Sequence, residues 1–272
     1  MSRRKAPITN DQVGTSAPRL TARSVVASVL LGVHPPRLDT RLLVATGELL
    51  GVAEGTLRVA ISRMVAAGEL VADGDGYRLV GPLAERQARQ DASRQAETRA
   101  WDGSWRTAVV VGDARSAAER TELRAAMRSL RFAELREGVW LRPHNLPASP
   151  AAEAEGVASA QCRWLSSTVD GAAALAAELW DLEAWTMRAI ELDTAVGRLV
   201  PQLEAGDSTA VAPGFVLSAA VLRHLQADPL LPEELCPDGW PGSELRAHYD
   251  RYDAAYRSTL AGWHRAHTGV GQ

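Results

Sequence analysis

Residues 52–80, VAEGTLRVAISRMVAAGELVADGDGYRLV, constrain the fold more than any other stretch. Leu57, Ala60, Ile61, Met64 and Val65 recur at helical spacing and predict one apolar face on a helix that stops at Gly68. Two short strands, 69–71 and 77–80, flank Asp73-Gly74-Asp75-Gly76, a strong signal for a tight turn. Helix, glycine stop, then hairpin is the order of a winged helix-turn-helix. The outer helix face carries Gly55, Thr56, Arg58, Ser62 and Arg63. Arginine can grip a guanine edge with two hydrogen bonds, and Ser or Thr can take bases or phosphates. Thr56, Arg58, Ser62 and Arg63 are therefore expected in a DNA major groove, with Arg78 on the wing meeting phosphate or the minor groove. The plainer reading is a helix packed on a hairpin with solvated arginines, and the motif alone does not exclude it.

Charge decides how such a contact would work. The formal net charge is -3, so DNA affinity has to come from a local patch and not from the overall field. A length of 272 residues allows one large domain or two to three small ones, and 46% hydrophobic residues suffice for packed cores. Cys162 and Cys236 lie far apart, with no metal-like Cys/His spacing. The N-terminus lacks an apolar core segment and no run of about 18 apolar residues appears, so a cytoplasmic protein without a membrane partner is expected.

Along the chain, residues 1–19 with Arg3, Arg4 and Lys5 read as a flexible arm. Residues 20–81 hold helices at 20–33, 40–50 and 52–68 and the hairpin, with Thr21 as an N-cap. Residues 82–100 are polar with almost no apolar stripe and read as a solvated connecting helix. Residues 101–180 offer strands at 105–111, 135–141 (with Gly138 at a turn) and 161–167 and helices at 116–131 and 172–185, with a loop over 145–159. That order suggests a ferredoxin-like unit whose fourth strand is not evident. Residues 181–272 read as helices at 182–204, 211–225 and from Ser243 to about His264, the last with an inner stripe of Leu245, Tyr249, Tyr252 and Tyr256. The fold class is α+β.

Three groups of residues, in order, resemble the PaaX family of bacterial transcriptional regulators. The first is the run from Leu57 to Val65 with Gly68 and Gly76-Tyr77. The second is Trp101-Asp102-Gly103-Ser104-Trp105, Leu123-Arg124 and Gly138-Val139-Trp140-Leu141-Arg142-Pro143. The third is Asp228-Pro229-Leu230-Leu231-Pro232 and Asp238-Gly239-Trp240-Pro241-Gly242. The likeness covers residues 20–265. Two positions depart from it: Arg131-Phe132-Ala133 stands where a Gly-Phe-Gly-like turn is expected, and Cys236 where an apolar residue is expected. The resemblance implies a winged-helix N-terminal domain, a ferredoxin-like middle domain similar to the Cas2 fold and a helical C-terminal domain. It also implies a homodimer on an inverted-repeat operator that represses a catabolic operon and leaves DNA on binding an aryl-CoA thioester effector. For that effector, Trp105, Trp140 and Trp240 are candidate acyl or adenine neighbours. Arg124 and Arg142, with Arg136, are candidate phosphate neighbours. Core packing is the plainer role for each tryptophan.

Rival classes are weaker. His248, His264 and His267, with Glu233 and Glu234, lack the spacing of a metal site, and no nucleophile elbow, P-loop or dinucleotide glycine pattern appears. No enzyme, cofactor or metal is expected. A Cas2-like metal-dependent nucleic-acid-processing enzyme is the alternative, with Asp113 as its candidate acid. A winged helix that binds only protein would not need two arginines on its outer face.

Overall fold

The computed structural model describes residues 21–112, 115–147 and 151–268. The arm expected at 1–19 and Asp113 lie outside them. The protein is α+β. Its first elements are α1 (Ala22–Leu31), β1 (Arg37–Asp39), α2 (Thr40–Leu49), α3 (Glu54–Ala66), β2 (Leu70–Asp73) and β3 (Gly76–Leu79). Thr21 Oγ1 accepts the Ser24 N–H at 3.1 Å and caps α1, as the sequence predicts. Gly68, at φ +69°, follows the end of α3. The strands pair antiparallel in the order β1-β3-β2.

Strand β1 has no counterpart in the sequence reading. It is three residues long and exists through its pairing with β3, where Asp39 faces Gly76. A Cβ at Gly76 would lie 2.3 Å from the Leu38 carbonyl oxygen. Gly76→Ala is therefore expected to push β1 away and lower stability by about 1–3 kcal/mol. Thermal denaturation reads this, and an unchanged midpoint would mean that β1 moves aside freely.

Helix α4 (Pro82–Gln95) corrects the expectation of a solvated connector. Its inner face is buried although mostly polar: Leu83, Gln87, Gln90 and Ser93. Gln87 donates through Nε2 to the carbonyls of Leu31 and Val33, both at 3.0 Å, satisfying groups left open at the end of α1. At its far end Arg94 pairs with Asp250 at 2.7 Å and Asp253 at 3.0 Å.

The middle of the chain runs β4 (Trp105–Val110), α5 (Ala117–Ser129), β5 (Ala133–Arg136), β6 (Val139–Pro143), α6 (Ala152–Gln161) and β7 (Cys162–Ser167). The strand order β5-β6-β4-β7, antiparallel throughout, is ferredoxin-like. The missing fourth strand was inside the expected strand 135–141. The chain turns at Glu137-Gly138, with Gly138 at φ +79°, and makes two strands there. Helix α6 occupies part of the expected loop 145–159. Only Ala158 is buried on it, so it carries no apolar stripe to read. Ala108, Leu123, Met127, Phe132, Trp140 and Cys162 fill the core on the helix side of the sheet. The other side packs Trp105 and Leu141 against Ala176, Leu182, Leu231 and Leu235.

Helix α7 (Ala172–Leu179) ends before an extended Trp180. The expected helix 172–185 is thus two helices. Asp181 caps α8 (Leu182–Glu204), accepting the Ala184 N–H at 3.0 Å. Helices α9 (Val211–Gln226) and α10 (Gly242–Thr268) complete the fold. On α10, Tyr249, Tyr252 and Tyr256 stack in sequence. Ser208–Gln226 is the one described helical stretch long and apolar enough to cross a membrane. In the fold it is a packed helix with Val211, Phe215, Val221 and Leu225 buried. Phe215 lies in the core formed by α1, α2 and α3, so the packing crosses the boundary drawn at 181.

Candidate nucleic-acid interface

Helix α3 is held by its inner face. Leu57, Ala60, Ile61 and Met64 are buried, whereas Val65, expected with them, is 39% exposed at the edge of the stripe. Helix α2 comes close because residue 47 is glycine: a Cβ there would sit 2.5 Å from Leu57 Cδ1. The outer face is then fixed by geometry. Thr56, Arg58, Ser62 and Arg63 are all exposed on it.

The cations of this face are not equivalent. Arg58 is tied to Glu54 one turn earlier, Nη2 to Oε1 at 2.7 Å. The sequence reading missed Glu54, although a glutamate four residues before an arginine is a legible helical pair. Arg63 has no ion pair among the described residues. On the β2–β3 hairpin, Arg78 Nε lies 3.5 Å from Asp73 Oδ2. Arg37 stands opposite Arg78 across the β1–β3 ladder and reaches Asp39 at 2.8 Å and Asp75 at 2.6 Å. That guanidinium holds the Asp75 carboxyl below its ordinary value. Three aspartates thus surround two arginines on the β1-β3-β2 sheet, and Arg63 is the cation of the set without an ion pair among the described residues.

The five effector candidates do not form one site, although Trp240 packs against the cluster that holds Trp105. Strand alternation puts Trp105 and Trp140 in cores on opposite faces of the sheet. Trp105 Nε1 is buried without a hydrogen-bond partner. Arg124 is exposed and 3.6 Å from Glu134. Trp240 stacks on Trp185, centroids 4.3 Å apart, with His224 on the other side of Trp185. Arg142 is buried and donates to the carbonyls of Pro143 and Leu130. Burial pushes its guanidinium down to about 9, which leaves it charged at neutral pH. The histidines weighed as metal ligands also separate. His248 pairs with Asp193, His264 with the Thr46 hydroxyl, and His267 with the Trp263 carbonyl. Among the described residues no group of three or more His, Cys, Asp or Glu is placed to hold a metal ion.

Three family models match the chain in series. They are the PaaX-like protein over residues 21–86, the PaaX protein central Cas2-like domain over 98–175 and the PaaX-like protein C-terminal domain over 180–264. The chain belongs to the PaaX family. Membership carries the general class, a PaaX-like regulator, and a Cas2-like middle domain. Among solved structures, an uncharacterized protein of Mycobacterium tuberculosis, Rv0674, is 42% identical with a TM-score of 0.66. The match covers 89% of this chain and 98% of that one. No curated protein matches.

The departure from the PaaX pattern at Arg131 has a structural reason. Arg131 adopts the left-handed φ of +62° that would favour the expected glycine. Its guanidinium donates to the carbonyls of Gln226 and Asp228 and, at 3.0 Å, to Ser93 Oγ. Those three hydrogen bonds hold the arginine in place. The other departing position, Cys236, is half-buried beside Trp240 and Leu231, where it packs as a small apolar group.

Proposed function

We propose that this PaaX-family chain is a sequence-specific DNA-binding transcriptional regulator, a repressor of a catabolic operon. Residues 21–80 form its winged helix-turn-helix, with α3 as the recognition helix. The observation that carries this reading is the two-sided character of α3. Its buried Leu57, Ala60, Ile61 and Met64 lock the orientation in which Thr56, Arg58, Ser62 and Arg63 face outward. Such a face suits base edges in a major groove. A cytoplasmic homodimer presents two such helices to an inverted repeat with half-sites about one helical turn apart. An aryl-CoA thioester is the effector. It releases DNA by binding more tightly to the dimer geometry that does not match the operator. The series of three PaaX models favours this reading over a Cas2-like processing enzyme.

A gel shift with DNA from upstream of the chain's own gene tests the proposal. A retarded band is expected that weakens steeply between roughly 50 and 200 mM salt, and that phenylacetyl-CoA abolishes. A band that persists with the thioester removes that effector and keeps the regulator. Absence of any salt-sensitive band would sink the DNA-binding reading.

A further inference from the structure

A groove of about 380 Å³ opens at the turn end of the four-stranded sheet, where β4 runs out and β5 turns into β6. That volume falls at the lower end of small-molecule sites. Val109 and Val139 line it with apolar surface, and Arg115, Arg120 and Arg136 line it with guanidinium groups. Glu137 is the one carboxylate among the described residues that line it, which carry three positive charges and one negative.

The groove gathers three arginines that, like Arg63, lack an ion pair among the described residues. Arg37, Arg58, Arg94, Arg106, Arg246 and Arg251 all form ion pairs. Among the described residues none of the three groove arginines does. Arg115 donates to the side-chain oxygen of Gln161 at 3.2 Å, and Arg120 to the backbone oxygen of Arg115 at 2.6 Å. These bonds position two guanidiniums without neutralising them. Glu119, which feels the charge of Arg115, spends its carboxylate on the Ser116 N–H at 2.7 Å in the cap of α5. Guanidiniums gathered on one groove with fewer carboxylates than cations repel one another unless an anion joins them, and arginine matches phosphate oxygens through paired N–H donors.

We propose that this groove binds a small phosphorylated ligand, its phosphate held by Arg115, Arg120 and Arg136 and its apolar part lying on Val109 and Val139. The groove is concave and short, and Glu137 on its rim disfavours a continuous polyanion. The aryl-CoA effector proposed above is one ligand of this class, but the groove is tested with pyrophosphate alone and without DNA, so the inference needs neither that effector nor the reading of α3.

The test is calorimetric titration of the full chain with inorganic pyrophosphate, beside Arg136→Gln, the double variant Arg120→Gln/Arg136→Gln, and Arg124→Gln. Arg136 is exposed and holds no ion pair among the described residues, so its replacement leaves folding intact. Saturable binding is expected, weakened about tenfold by Arg136→Gln and lost in the double variant. Arg124 is already turned to Glu134, so Arg124→Gln should change affinity less than about twofold. Absence of saturable binding by the unsubstituted chain overturns the proposal. So does equal affinity in Arg136→Gln, or an equal loss in Arg124→Gln, which would indicate only diffuse charge. If Arg136→Gln instead weakens a random-sequence DNA duplex while pyrophosphate never binds, the arginines serve a DNA backbone and the small-ligand site is wrong.

Discussion

Asp228→Ala is expected to destabilise the protein by about 3–5 kcal/mol, the largest single loss of any carboxylate in the chain. Asp228 is 1% exposed, and its Oδ2 accepts from Arg246 Nη2 at 2.7 Å. Its Oδ1 accepts the Leu230 N–H at 2.8 Å, and its backbone oxygen accepts from Arg131. Arg246, only 11% exposed, also donates to the carbonyls of Ser93 and Gly242. One carboxylate thus bonds Arg246 from α10 and lends its charge to Arg131 from the turn between α5 and β5, and both guanidiniums reach Ser93 near the end of α4. Burial already pushes Arg131 down to about 10, with Asp228 the charge that opposes the shift. Without that carboxylate both cations stay buried with neutral acceptors only. For a chain of this size the thermal midpoint should fall by roughly 10 °C. Asp228→Asn keeps an acceptor for Leu230 and should lose less. A midpoint within about 2 °C of the parent for Asp228→Ala would mean that water reaches the cluster and replaces the carboxylate.

The second large effect concerns DNA. Arg63→Ala should weaken operator binding by about 1–3 kcal/mol, roughly tenfold to a hundredfold, because its guanidinium enters the groove without leaving a partner. Arg58→Ala should cost less. Arg58 must first give up Glu54, and that exchange offsets part of its gain. Glu54→Gln is accordingly expected to tighten binding, since it frees Arg58 and removes a carboxylate that faces phosphate. All three residues are exposed, so folding is unaffected and affinity can be read directly by fluorescence anisotropy. If Arg63→Ala, Arg58→Ala and their combination all bind operator as the parent does, α3 is not the reading helix.

The parts legible in sequence were those whose signal is local. The face of α3, the turn at Gly74-Asp75, the cap at Thr21 and the tyrosine ladder of α10 each depend on residues within a few positions of one another. The parts that were missed depend on distant partners. Strand β1 is made by the strand it joins. Gln87 and Ser93 look like surface residues until the carbonyls of α1 and the guanidinium of Arg131 arrive beside them. Strands β5 and β6 read as one because Leu135 lies only four residues before Val139-Trp140-Leu141, a separation short enough for one strand. The effector candidates failed to form one site for a related reason. The choice of face in a strand is set by parity and register, and Trp105 and Trp140 fall on opposite parities across the β4–β6 ladder. Arg115 and Arg120 carry no signal in the linear chain, because only the fold brings them to one groove with Arg136.

Phe215 has a consequence for how such proteins can be recombined. The core shared by α1, α2 and α3 takes in an aromatic ring from α9, far along the chain and on a helix belonging to another part of it. The N-terminal segment is therefore not an interchangeable cassette. A chimera that grafts residues 21–81 onto a relative inherits a fitted socket, and it keeps its stability only if the host's equivalent of α9 supplies a side chain of the same bulk. Operator specificity in this family is thus expected to be inherited together with the C-terminal helix that completes the reader's core.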